Sequence, residues 1–290
     1  MSDMKFAPLS LPRATVHQLR SPVDGAEYAV FLALPDTPAP PDGFPAIITL
    51  DANATFFTMV ESVRARAHRA GSTGVEPAVV VGIGYPGDGP YDTSRRFYDF
   101  TQAHSQTPGR ATGGAAAMAE LIDIAIKPFL AQHAPVNMER LALFGHSMAG
   151  YFVLTRLLLQ PDSFQTYLAA SPSVWWDQGW LLEQSELLAP RLPVTQPRRL
   201  LVSVGEFEQP LAPWQQNIPH ADEITRRRQE RGMIDRARDF TRQLSRLSGD
   251  RLIARFEELP DEDHASSVPT AISHGVRFAL WHGAAALKNI

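Results

Sequence analysis

The run Phe144-Gly145-His146-Ser147-Met148-Ala149-Gly150 follows a short apolar segment and precedes a helical pattern. A serine in a tight turn between a buried strand and a helix has a strained backbone and a hydroxyl lifted above the sheet edge, the posture of a nucleophile. Strand and helix approach closely there, so small neighbours are needed, and Gly145, Ala149 and Gly150 supply them. The usual pattern is G-x-S-x-G; this chain carries Ala149 in the last place. A hydroxyl is hardly ionised at neutral pH and needs a base, which for such a turn comes from a loop after the last strand. Of nine histidines only His264, in Leu259-Pro-Asp-Glu-Asp-His-Ala-Ser-Ser, has that address. His274 and His282 lie within or after the final helical pattern and are expected to pack or face water. The acid that holds the imidazole's tautomer belongs after the penultimate strand, where Val204-Gly205-Glu206-Phe207-Glu208 offers both Glu206 and Glu208. Asp261 and Asp263 are near neighbours of His264 and are expected to be solvated. An oxyanion requires two backbone N–H donors. Met148 provides one at a helix start, and Asp51-Ala52-Asn53 the other, with Asp51 also able to cap the helix that follows.

These residues require strands to present them. Ala14–Arg20 and Glu27–Leu34 read as a hairpin through Pro22-Val-Asp-Gly. Unbroken apolar runs at 45–50, 78–83, 140–144, 166–171 and 199–205 look like strands buried on both faces, followed by a last strand at 252–259. Helical patterns lie between them at 56–70, 115–133, 148–159 and 222–247, with a final one at 268–281. Residues 84–113 read as one long Gly/Pro-rich loop of the kind that carries function. Strands alternating with helices imply a mostly parallel sheet covered on both faces, with the antiparallel hairpin at one edge. No repeat or composition break divides the chain, so a single domain over 1–290 is expected, with an irregular arm over 1–13.

The 290 residues are 44% hydrophobic and 20% charged, a globular profile. With 27 basic and 31 acidic side chains the net charge is -4, which disfavours nucleic acid as a partner. Zero cysteines exclude disulfides, thiolate metal sites and cysteine nucleophiles. No H-e-x-x-H spacing occurs, so neither a metal nor a cofactor is expected. Gly82-Ile-Gly84-Tyr-Pro-Gly87 fits a nucleotide-loop pattern but leads into Pro86, Gly89 and Pro90 rather than a helix. The run Arg226-Arg227-Arg228 is interleaved with Glu223, Glu230 and Asp235 and reads as a solvated helix face. Without a leader or an apolar span, a cytoplasmic protein with no membrane partner is expected.

The order Ser–acid–His at the ends of different strands is the α/β-hydrolase arrangement. Leu50-Asp51-Ala52-Asn53, Arg95-Arg96-Phe-Tyr-Asp99-Phe-Thr101, Gly145-His-Ser-Met-Ala-Gly, Ser171-Pro-Ser173-Val-Trp175-Trp176-Asp and the late His264 together resemble the esterase D-type branch of that fold. Within the branch the likeness is to trilactone siderophore esterases, which hydrolyse enterobactin, salmochelin or bacillibactin. Feruloyl esterases, S-formylglutathione hydrolases and mycolyltransferases are more distant. The resemblance implies Ser147 as nucleophile, His264 as base, and Glu208 rather than Glu206 as acid, although some siderophore esterases work with a Ser–His dyad. It implies Ala52 as Met148's companion in the oxyanion hole. It also implies Arg96, with Arg95 behind it, as the contact to an anionic catecholate. Trp175 and Trp176 would wall the pocket, and Asn53 would join in substrate binding. The implied substrate is a small ester, an iron-loaded siderophore whose metal arrives with it. A general carboxylesterase or acyltransferase of the same mechanism, or a non-catalytic binding protein on the same fold, are the rival readings.

Overall fold

The computed structural model describes residues 10–105, 107 and 109–281. Residues 1–9 of the expected arm and His282 lie outside the described residues. Eight strands form one sheet: β1 Ala14–Arg20, β2 Glu27–Ala33, β3 Phe44–Leu50, β4 Val79–Gly84, β5 Val136–His146, β6 Thr166–Ala170, β7 Arg198–Gly205 and β8 Leu252–Leu259. Their spatial order is β1-β2-β4-β3-β5-β6-β7-β8. β2 pairs antiparallel with both β1 and β4, and all the other pairs are parallel. Every residue of β3, β4 and β6 is buried, as unbroken apolar runs predict for strands covered on both sides.

Successive side chains on these strands enter different cores. Ile47, Val80 and Phe144 face a layer made by α1 (Ala52–Ala67) and a C-terminal helix, Ser267–Leu280. Their neighbours Ile48, Val81 and Leu143 face the opposite layer. That layer contains α2 (Thr93–Phe100); a segmented helix α3, made of Ala115–Leu121, a π-helical turn Ile122–Ile126 and Lys127–His133; and α4 (Met148–Leu159). After α5 (Ala221–Arg231) comes α6 (Met233–Ser248), which packs on β7 and β8, and the C-terminal helix is α7.

The structure differs from the sequence expectations at three places that matter below. α1 begins at Ala52, not Phe56, because its first turn lacks apolar periodicity and is built by hydrogen bonds. Thr55 Oγ1 donates to the Leu50 carbonyl at 2.9 Å and lies 2.7 Å from Thr49 Oγ1. Asp51 adopts φ 52°, and its side chain makes no capping bond. The long loop contains α2, started by Asp92, whose carboxylate accepts the Arg95 N–H at 3.0 Å. The helix expected over 222–247 is two helices, parted at Gly232 with φ 53°. The glycines of the rejected nucleotide pattern have a packing reason. A Cβ at Gly82 would lie 2.5 Å from the Ala52 Cβ, and one at Gly84 would strike the Asn53 side chain.

The break at Gly232 is conformational, since the nearest atom to an added Cβ is Arg236 Nε at 3.5 Å. Gly232→Ala is therefore expected to lower the unfolding free energy by about 1–2 kcal/mol, the cost of a left-handed L-residue. Urea denaturation measures it.

Candidate active site

Four strand ends meet at the carboxyl edge of the sheet, the edge where open α/β sheets bind ligands. At the end of β5, Ser147 has φ 61° and ψ -115°. The turn is locked: its N–H donates to Ala170 O at 2.9 Å, and its carbonyl accepts from Tyr151 at 3.0 Å and Ser173 at 3.2 Å. A Cβ at Gly145 would lie 2.5 Å from the Ala149 carbonyl oxygen, and one at Gly150 would lie 2.9 Å from that of Ala170. Glycine is required at both positions, whereas the β-carbon of Ala149 fits.

His264 Nε2 lies 3.0 Å from Ser147 Oγ, and its Nδ1 lies 2.6 Å from Glu208 Oε2. The Glu208 side chain is 1% exposed and that of His264 46%. The other carboxylate oxygen of Glu208 accepts from the Ser171 hydroxyl and from the Gly205 N–H at 2.7 Å. Glu206 points elsewhere, accepting the Asp261 N–H at 2.8 Å and so fastening the turn ahead of His264. Asp263 accepts the N–H groups of Ala265 and Ser266, both at 2.9 Å. Those bonds, that of Ser266 first, hold its carboxyl below the usual range. Met148 and Ala52 are the first residues of α4 and α1, so their N–H groups have no partner within their helices. β3 and β5 are neighbours with Thr49 opposite Phe144, which brings both helix starts to one place.

The remaining predicted residues divide. Trp175 lines a cavity of about 210 Å³ together with Ser147, Glu208 and His264. Trp176 turns inward, with Nε1 3.3 Å from Ser105 Oγ and its ring against Phe97. Both amide atoms of Asn53 bind the backbone of 85–87 and hold the β4 loop to α1. Arg95 lies over the rings of Tyr28 and Tyr85 and donates to the Glu27 carbonyl, tying α2 to β2. Arg96 is 9% exposed and paired with the buried Asp51. The polar side-chain atoms of Trp176 and Asn53 are thus taken up within the protein, whereas Arg95 Nη2 has no hydrogen-bond partner.

Sequence reasoning missed two groups. Arg227, Arg228 and Arg231 on α5 also line the cavity, while Arg226 and Arg227 are exposed, as the reading of that run as a solvated face expects. Only the helix's seat beside the cleft reveals this. His146 is buried, and its Nε2 donates to the carbonyl of His264 at 2.9 Å, with the rings 4.6 Å apart. Its position inside the motif was the available signal. Among the described residues no cluster of His, Asp or Glu is placed to hold a metal ion. None of their helices is long and apolar enough to cross a membrane.

The strand order, the turn at Ser147 and the residues gathered above it define an α/β-hydrolase fold. Residues 21–251 match the family described as "Putative esterase", and the chain belongs to that family of carboxylic ester hydrolases. It is 36% identical over 281 residues to a ferri-bacillibactin esterase of Bacillus subtilis, covering 93% of this chain and 91% of that protein. It is 35% identical over 256 residues to a siderophore enterobactin esterase of Emericella nidulans, covering 80% and 81%. The solved structure of the BES protein from Bacillus cereus superposes with a TM-score of 0.85 at 31% identity, covering 96% of this chain and 99% of that one.

Burial, then the nearby His264 and Arg96, hold His146 well below the ordinary histidine value of 6.5. The unfolded chain takes up a proton at this residue as pH falls through 6.5, while the folded chain does not. The neutral ring's contribution is thus complete above that pH and declines below it. The stability advantage of wild type over His146→Gln, which keeps an N–H donor, is expected to shrink by about 1 kcal/mol between pH 7 and 5.5. Paired denaturant titrations at the two pH values read it.

Proposed function

We propose that this chain is a serine esterase acting on a ferric trilactone siderophore such as enterobactin, through Ser147, His264 and Glu208. The observation that carries the reading is the unbroken relay from Ser147 Oγ through the imidazole to a buried carboxylate, with spacings of 3.0 and 2.6 Å. His264 Nε2 takes the hydroxyl proton as Oγ attacks the ester carbonyl. Glu208 keeps the proton on Nδ1 and balances the imidazolium. The tetrahedral oxyanion rests on the N–H groups of Met148 and Ala52, aided by the positive ends of α4 and α1. His264 then gives its proton to the departing serine hydroxyl of the trilactone, leaving a catecholoyl-seryl enzyme. A water molecule repeats the cycle and releases the acid. The iron belongs to the substrate.

The cavity wall supports an anionic aromatic substrate. Arg228 is occupied by the carbonyls of Phe207 and Pro210 and by Gln215, at 2.9–3.0 Å. Among the described residues no carboxylate lies within 4 Å of the Arg227 or Arg231 guanidinium, leaving two cations on one wall without acid partners. Burial, and after it the neighbouring Arg227 charge, lower the pKa of Arg231. Its guanidinium lies 4.4 Å from the centre of the Trp175 ring. A catecholate can stack on the indole while its oxygens neutralise the arginines.

Ser147→Ala is expected to abolish turnover of p-nitrophenyl esters and of ferri-enterobactin, followed by mass spectrometry, and to lose labelling by a fluorophosphonate. Turnover near the wild-type level would overturn the reading. Arg227→Gln with Arg231→Gln is expected to lower kcat/KM for the ferric trilactone by about 10–100-fold, from the loss of charged hydrogen bonds. The loss for neutral p-nitrophenyl acetate should be far smaller. Kinetics at several salt concentrations compare the two esters.

A further inference from the structure

We propose that Arg96 is a positioning residue that holds the two halves of the oxyanion hole in register, rather than a cation that meets substrate. The inference rests on the oxyanion hole proposed above. The Arg96 Nε lies 3.1 and 3.2 Å from the two carboxylate oxygens of Asp51, and Nη2 lies 2.8 Å from Oδ2. The same Nη2 donates to the carbonyl oxygen of His146 at 3.3 Å. Asp51 immediately precedes Ala52, and His146 lies two residues before Met148, with only Ser147 between them. One planar guanidinium therefore grips the chain just before each N–H donor, across the seam between β3 and β5.

Both gripped segments need such a hold. Asp51 and Ser147 have φ values of 52° and 61°, a region that L-residues leave unless the surroundings impose it. Asp51 is 1% exposed and makes no helix-capping bond, so the cap-like sequence does not explain its carboxylate. Burial raises the Asp51 pKa and Arg96 opposes that rise, so the pair is a buried charge with one partner. Arg96 is itself fixed from behind by Tyr91 and Phe100, whose ring centres lie 5.3 and 5.8 Å from its guanidinium carbon. A lysine could neutralise Asp51 but could not bridge carboxylate and carbonyl with a rigid fork.

Oxyanion donors act over tenths of an ångström, and one lost donor costs about 10²–10³-fold in kcat. Arg96→Met is expected to lower kcat on neutral p-nitrophenyl acetate and on an anionic ester alike, by about 10–100-fold, with KM within about threefold. It also leaves a buried carboxylate unpaired, so Tm should fall. The double variant Asp51→Asn with Arg96→Met removes that charge and is expected to recover much of the Tm while kcat stays low. Affinity for a trifluoromethyl ketone, which forms an oxyanion on the serine, should fall in parallel with kcat/KM in both variants and in Arg96→Lys. Recovery of kcat together with Tm would overturn the proposal by making the pair merely structural. A loss confined to the anionic ester and expressed in KM would overturn it by making Arg96 a substrate contact. Ser147→Ala, run alongside, separates these outcomes from failure of the site itself, because that failure would leave its turnover intact.

Discussion

Strand β5 and helix α4 pass so close at their junction that only hydrogen fits where Gly145 faces the Ala149 carbonyl. That approach forces the one residue between them, Ser147, out of the common backbone regions. The distortion persists because its N–H and carbonyl are bound by β6, by α4 and by the segment after β6. Strain of this kind, of order 1–3 kcal/mol, survives only where rigid surroundings impose it. Here the surroundings are central strands buried on both faces, the least deformable part of the molecule. The hydroxyl is thereby lifted to the sheet edge where the chains following β3, β7 and β8 also emerge.

The partners of Ser147 are arranged with increasing solvent access. Glu208 is enclosed, with one oxygen bound by Ser171 and Gly205, so only the other is turned to the imidazole. His264 is nearly half exposed at its ring but tethered at its backbone by buried His146. A buried carboxylate and a backbone tether together fix the orientation of the imidazole, while its ring stays accessible from the cavity. Arg228 extends the same logic outward, connecting α5 to the turn that carries Glu208.

The parts of this arrangement written in local signals were legible in the sequence. The apolar runs located every strand of the parallel sheet, and glycines around a strand–helix junction marked Ser147. A loop after the last strand marked His264. The residues alone left two candidate acids, because Glu206 and Glu208 share one short 3-10 turn and only its rotation decides which faces the histidine. The partner of Arg96 was illegible for a different reason: Asp51 lies 45 residues earlier, and its sequence context reads as a helix cap. The cavity-lining role of the α5 arginines was illegible because charges interleaved along a helix read as a solvated face, and only tertiary packing sets that helix beside the cleft. α2 was hidden inside a polar loop because eight residues with three charged side chains give little apolar periodicity.

Ser147, Glu208 and His264 stand at the ends of three strands, and the last of these, β8, is an edge strand that among the described residues pairs only with β7. No contiguous fragment shorter than the stretch from β5 to the loop after β8 contains all three groups. Parallel pairings between such distant segments are slow to form, because the intervening chain must close large loops first. In a refolding experiment, compactness and helical signal would accordingly return ahead of catalytic competence. Recovered turnover then becomes a clock for the docking of the final strand, a late event that spectroscopic averages over the whole backbone would blur.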